Sequence, residues 1–215
     1  MIDAPADAAA ALADWVELSD ALLRGLIHAL NNRITALGAF AELAVAGDEE
    51  FTPGKILPDE MQRMQQVNRM FRLLLADDQA PEALELAPVI DDAMALHAHH
   101  PRLRSLGCEL RRGRNVLPVR APRWALVRLV LLLIEGAKVA HEARGEDVAL
   151  LHLDGTEDVV TLACRFVGEL PAYAVAMAEL CGGSLRAEHE EAKLTLPTLL
   201  ALRRSERAAK SGAPG

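Results

Sequence analysis

Residues 8 to 46 contain no proline, and only Gly25 and Gly38 interrupt a run of helix formers. Leu23, Ile27, Leu30, Ile34, Leu37, Ala41 and Ala44 alternate steps of four and three, the seam of a long helix that packs in a bundle. Such a helix would be roughly 55–60 Å long and cannot bury its seam alone. The stretch GDEEFTPGKILPDE breaks it, with Gly47, Pro53, Gly54 and Pro58 all hostile to helix. A second amphipathic stretch runs from Asp59 to about Asp78, with Met64, Val67, Phe71 and Leu74 as its seam and Met61, Met70 and Leu75 beside it. Helix, turn, helix predicts an antiparallel hairpin, and a second copy would complete a four-helix bundle.

From Pro81 the pattern changes. LELAPVIDDAMALHAHH predicts a helix opening at Pro88, and CELRR and VLPVR predict short strands around the GRN turn. PRWALVRLVLLLIEGAKVAHEA is a strongly apolar helix started by Pro122. VALLHLDGTEDVVTLACRFVG is a hairpin turning through DGTED, LPAYAVAMAELCGG a helix stopped by a glycine pair, and SLRAEHEEAKLTLP a second hairpin. The order predicts an α+β chain, with a helical hairpin (residues 1–80), a sandwich of one sheet covered by helices (81–202), and a disordered tail (203–215).

Composition narrows the function. Apolar residues make up 51% and aromatic ones 3%, which favours helices packed through aliphatic side chains. A net charge of −8 argues against nucleic acid as a partner, despite local arginines at 102, 104, 111, 112 and 114. The three cysteines, Cys108, Cys164 and Cys181, are widely spaced without a CxxC, which fits a reducing cytoplasm. The acidic start MIDAPADAAAALADW is not a secretory signal, and the longest apolar run, Leu129 to Ile134, is too short to span a membrane. His97, His99, His100 and Cys108 read as polar residues at a helix end before Pro101, so no metal is expected.

His28 follows the seam residue Ile27 by one position, about 100° around the helix. Its neighbours at helical spacing are Arg24, Asn32 and Thr35, so it lies on a polar stripe facing solvent. LIHALNNRITALGAFAEL resembles the phosphoacceptor box of two-component histidine kinases through His28, Leu30, Asn31, Asn32, Ile34 and Thr35. Ala29 stands where that family usually has an acid, and Arg33 where it has proline.

The second half resembles the ATP-binding domain of the same kinases in colinear order. Leu132 and Gly136 replace the asparagines of the Mg²⁺-binding motif, although Ala137 and Ala140 are kept. CRFVGELP has Gly168 but no adenine-binding Asp, and Asp154-Gly155 fall in a hairpin turn. The Cys181-Gly182-Gly183-Ser184-Leu185 segment echoes the last glycine motif.

The resemblance implies a degenerate ATPase-like domain behind a bundle histidine, the layout of ChpT-like histidine phosphotransferases. It further implies a homodimer that relays phosphoryl groups between response-regulator receiver domains. His28 would be the acceptor, Asn32 and Thr35 would shape its face, and Arg24, Asn31 and Arg33 would meet the receiver. No cofactor is expected on this chain, since Mg²⁺ belongs to the receiver. The alternatives are a non-catalytic adaptor that binds receivers or kinases, and a divergent active histidine kinase.

Overall fold

The computed structural model describes residues 4–46, 53–75 and 80–211. Helix α1 (Ala4–Ala46) and helix α2 (Pro53–Leu74) pack together as a hairpin. The turn falls on 47–52, outside the described residues, and so does the expected end of α2 beyond Leu75. Pro53, Gly54 and Pro58 were expected to keep the helix from starting before Asp59. Instead α2 starts at Pro53 and holds Pro58 inside it. A proline at the first helical position loses nothing, and Pro58, so near the start, forfeits a single backbone bond.

After the hairpin come β1 (Glu82–Leu84), α3 (Leu86–His97), β2 (Gly107–Arg112), β3 (Val119–Ala121) and α4 (Arg123–Glu142). Then follow β4 (Val148–Gly155), β5 (Val159–Arg165), α5 (Ala172–Leu180), β6 (Ser184–Glu188), β7 (Glu191–Pro197) and α6 (Leu199–Ser211). A five-stranded sheet has the order β2-β4-β5-β7-β6, with β2 parallel to β4 and the other pairs antiparallel. Alternate residues such as Leu151, Leu153, Leu162, Leu194 and Leu196 turn to the helices and are buried. The opposite face carries exposed polar residues, among them His152, Arg186 and Lys193.

Strands β2 and β3 flank the GRN turn but do not pair with each other. Gly113 N donates to Leu153 O (2.6 Å) and Arg114 N to Asp154 Oδ1 (3.2 Å), which keeps the chain bound along β4 past the end of β2. Strand β3 pairs instead with β1, a strand the sequence pattern did not reveal. Helix α3 opens at Leu86, two residues before Pro88, which sits in its first turn.

The stretch 203–211, expected to be disordered, is helical. Thr198 Oγ1 accepts from Ala201 N (3.0 Å) and caps α6, while Arg204 pairs with Glu157 (2.8 Å) and Asp158 (3.4 Å).

The hairpin and the sandwich share one core. Trp15, Leu18, Leu22 and Leu26 of α1 are buried in the same cluster as Leu129 and Leu133 of α4 and Ala174 of α5. At the junction Trp15 stacks on Tyr173 (6.0 Å between centroids), and the Arg128 guanidinium lies over Trp15 (4.7 Å) and Trp124 (5.2 Å). Arg128 also donates to Tyr173 Oη (2.7 Å) and to Leu74 O at the end of α2 (3.2 Å).

The expected seam is therefore not the face that this chain buries. Leu23, Ile27 and Ile34 remain 38%, 49% and 53% exposed. The sandwich takes the face one position back, because Leu22 and Leu26 offer a second stripe at the same spacing.

Candidate functional site around His28

His28 is exposed on α1, well inside the helix. Asn32, one turn on, brings Nδ2 to 3.3 Å from His28 Nε2. In the tautomer carrying its hydrogen on Nδ1, the single in-plane lone pair of Nε2 accepts that bond and is the pair available for attack once the bond lengthens. Thr35 turns its hydroxyl to its own helix and donates to Asn31 O (3.0 Å), and Asn31 is exposed. The polar stripe predicted around His28 is thus present as Arg24, His28, Asn32 and Thr35.

The two arginines differ in their surroundings. Arg24 is exposed and pairs with Asp20 (2.6 Å). Arg33 is half-buried and reaches across the hairpin to the buried carboxylate of Glu60 (3.4 Å), which Arg63 also holds. Ala29 packs, partly buried, against the core, so the position after the histidine faces inward.

A groove of about 540 Å³ opens beside His28 between α1 and the chain that follows α3. Gly25, His28, Ala29 and Asn32 form one wall, and His99, Pro101 and Arg104 line the other. Gly25 sets the spacing. A Cβ at that position would fall inside the van der Waals radius of the His99 carbonyl oxygen, so only glycine lets α1 lie so close. Burial lowers the His99 pKa below its ordinary value. A glycine one turn before the histidine was visible in the sequence, but its long-range partner was not.

Where the end of α3 meets α4 lies a cluster of ionisable side chains. His97 Nε2 is 2.7 Å from Glu135 Oε2, and the His100 ring stacks on that of His97 (5.3 Å). Burial raises the Glu135 pKa, but the His97 hydrogen bond and the charges of His100, His97 and Arg102 outweigh it and leave it lowered. Burial lowers both histidines, against the pull of Glu135. Among the described residues no group of His, Cys, Asp and Glu is arranged to hold a metal ion.

A second cleft, of about 570 Å³, separates α1 from α4 at the positions that resemble the nucleotide motifs. Leu132, Gly136 and Phe166 line it, facing the carboxylates of Asp14, Glu17 and Asp20 on α1 and of Glu135 on α4. The Phe166 ring lies so close over Gly136 that a Cβ there would overlap it. Asp154 and Gly155, expected in the hairpin turn, are instead the last residues of β4, paired with Thr161 and Val160; Asp154 Oδ1 accepts from Gly155 N (2.8 Å), and Gly168 and Gly182 adopt positive φ (98° and 74°). Cys181 is buried at the end of α5.

No helix among the described residues is long and apolar enough to cross a membrane. No protein-family model matches the chain, and no curated protein does. Among solved structures it is similar to the cytoplasmic segment of the histidine kinase QseC at 16% identity, covering 64% of this chain and 91% of that one, with a TM-score of 0.42. It is similar to the histidine kinase AdeS of Acinetobacter baumannii at 15% identity, covering 80% and 96%, with a TM-score of 0.43. A bacterial phosphotransferase is 14% identical, covering 84% and 95%, with a TM-score of 0.39. The α+β architecture, a long helical hairpin against a helix-covered sheet, stands on this chain's own strand order and packing.

Proposed function

We propose that the chain is a cytoplasmic histidine phosphotransferase that passes phosphoryl groups between receiver domains through His28 and does not itself use ATP. The observation that carries this reading is the exposed imidazole of His28, with Asn32 on its Nε2, at the mouth of a groove lined by arginines. In transfer, the Nε2 lone pair forms a bond to phosphorus while the acyl-phosphate P–O bond of the receiver breaks. The aspartate leaves as carboxylate, and the ring loses its Nδ1 proton to water. The return step is the reverse, and the receiver's Mg²⁺ neutralises charge on the moving group. Arg24 and Asn31 flank His28 on the exposed face, and Arg33 lies at the groove.

The second cleft does not fit a nucleoside triphosphate and its Mg²⁺. Leu132 offers no oxygen ligand, Phe166 fills the space over Gly136, and the carboxylates around it repel polyphosphate. The three free cysteines fit a reducing compartment. The apolar stripe left open on α1, with Leu57 and Met61 on α2, fits a second copy of the chain.

Mixing the protein with a phosphorylated receiver tests the reading. Acid-labile label should appear on the wild type and vanish in His28→Ala. Complex formation with no label from any receiver, unchanged in His28→Gln, would overturn it in favour of an adaptor.

A further inference from the structure

Three arginines line the groove beside His28, and two of them already have carboxylate partners. Arg24 is held by Asp20 (2.6 Å) and Arg33 by Glu60 (3.4 Å). Arg104, carried by the sandwich, is exposed and has no carboxylate partner among the described residues.

The loop that carries it is anchored on every side. Arg104 N donates to His100 O (3.1 Å), and Leu103 N donates to His100 Nδ1 (3.1 Å). The Leu103 side chain is buried, and Lys138 Nζ donates to the Leu103 carbonyl (3.2 Å). On the other side, Gly25 lets α1 rest against the His99 carbonyl. The Arg104 backbone is thus held on the groove wall across from His28, its guanidinium has no carboxylate partner among the described residues, and Ala29 adds no competing acid to the groove. Planar N–H forks of this kind bind phosphoryl oxygens in preference to water.

We propose that Arg104 is a positioning residue that holds the phosphoryl oxygens of His28 once Nε2 is phosphorylated, so that the sandwich supplies part of the transfer site. This rests on the reading of His28 as a phosphoryl acceptor.

Potassium phosphoramidate tests it without any receiver. The His28 Nε2 lone pair forms the N–P bond as the donor's P–N bond breaks. The donor nitrogen leaves as ammonia, and the ring's Nδ1 proton passes to water. Phosphorus NMR of the full chain then reports the second ionisation of the phosphoryl group and its decay, with His28→Ala identifying the resonance.

In Arg104→Ala the ionisation midpoint should move up and the half-life should shorten by about tenfold, the loss of one charge-assisted hydrogen bond. Arg104→Lys should restore most of both, and Arg186→Ala, on the far face of the sheet, should change neither. Melting curves matching the wild type confirm that the variants fold, and a loss of structure in one movable side chain would not by itself move the phosphoryl ionisation. Equal midpoints and half-lives in wild type and Arg104→Ala overturn the inference even where receivers exchange phosphate with His28. An Arg104-dependent signal with no transfer to any receiver leaves the inference standing and removes the relay. Failure of phosphoramidate to label wild-type His28 overturns the inference.

Discussion

The Asn32 amide holds the imidazole of His28 by one bond, and that bond must lengthen when Nε2 attacks. Its contribution is orientation. Asn32→Ala should slow phosphoryl uptake by about fivefold, as loss of one hydrogen bond of roughly 1 kcal/mol implies, with His28 still labelled at long times. The initial rate of labelling checks this, and an unchanged rate would remove Asn32 from the site. The cluster of His97, His100 and Glu135 sets a pH dependence of stability. His97 and His100 have pKa values lowered from the ordinary 6.5, so the unfolded chain gains protons before the folded one and stability falls as pH drops through 6.5. Glu135 is lowered from 4.5, so its stabilisation holds above that value and is lost as pH falls through its folded pKa. The melting temperature should therefore decline from pH 7 towards pH 4, and Glu135→Gln should flatten the part below 4.5. His28, Arg24 and Asn32 were legible as one stripe because helical spacing alone places them together. Arg104, Glu60 and the His99 carbonyl were not, since each reaches the site through tertiary contacts that local periodicity does not encode.

Among the elements, the glycines of α1 separate two physical effects. Gly25 and Gly38 both weaken a helix by about 1 kcal/mol relative to alanine. Gly38 has nothing within 4 Å of where its Cβ would stand, whereas Gly25 meets the His99 carbonyl. Gly38→Ala should therefore stabilise the chain by up to about 1 kcal/mol. Gly25→Ala should destabilise it by about 1–3 kcal/mol, since either the helix or the loop must move and overpacking at a close contact costs that much. Urea unfolding of both variants decides this, and a stabilised Gly25→Ala would mean that the contact is loose. The elements with strong periodicity, α1, α4 and the β4–β5 and β6–β7 hairpins, were legible in the sequence. Strand β1 was not, because three residues hold too little pattern, and the partner of β3 was not, because it lies across a helix in sequence. Helix α6 was missed for another reason. Its charged run RRSERAAK looks like a solvated tail, and the Thr198 cap, the Arg204 pairs and the bond from Leu199 N to Pro118 O help to hold it.

At the scale of the molecule, α1 carries two apolar stripes and one chain uses one of them. Trp15, Leu18, Leu22 and Leu26 are buried on the sandwich, while Leu23, Ile27 and Ile34 keep the heptad spacing that first suggested a bundle. The sequence pattern overlaps the two stripes, which is why the outer one was read as the hairpin's own seam. Each leucine or isoleucine contributes about 1.5–3 kcal/mol when fully buried, so several of them along one face are enough to hold a second copy. The double variant Leu23→Glu with Ile34→Glu places two carboxylates on that face and leaves the inner stripe intact. Light scattering should then find a dimer for the wild type and a monomer for the variant, with unchanged helix content by circular dichroism. Leu22→Glu, a charge in the shared core, should instead unfold the chain, because a buried unpaired carboxylate costs several kcal/mol. A wild-type monomer at high protein concentration would rule out the second copy. Because the outer stripe runs beside His28, the dimer would then set how a receiver approaches the groove, and the monomeric variant should also accept phosphate more slowly from a receiver than from phosphoramidate.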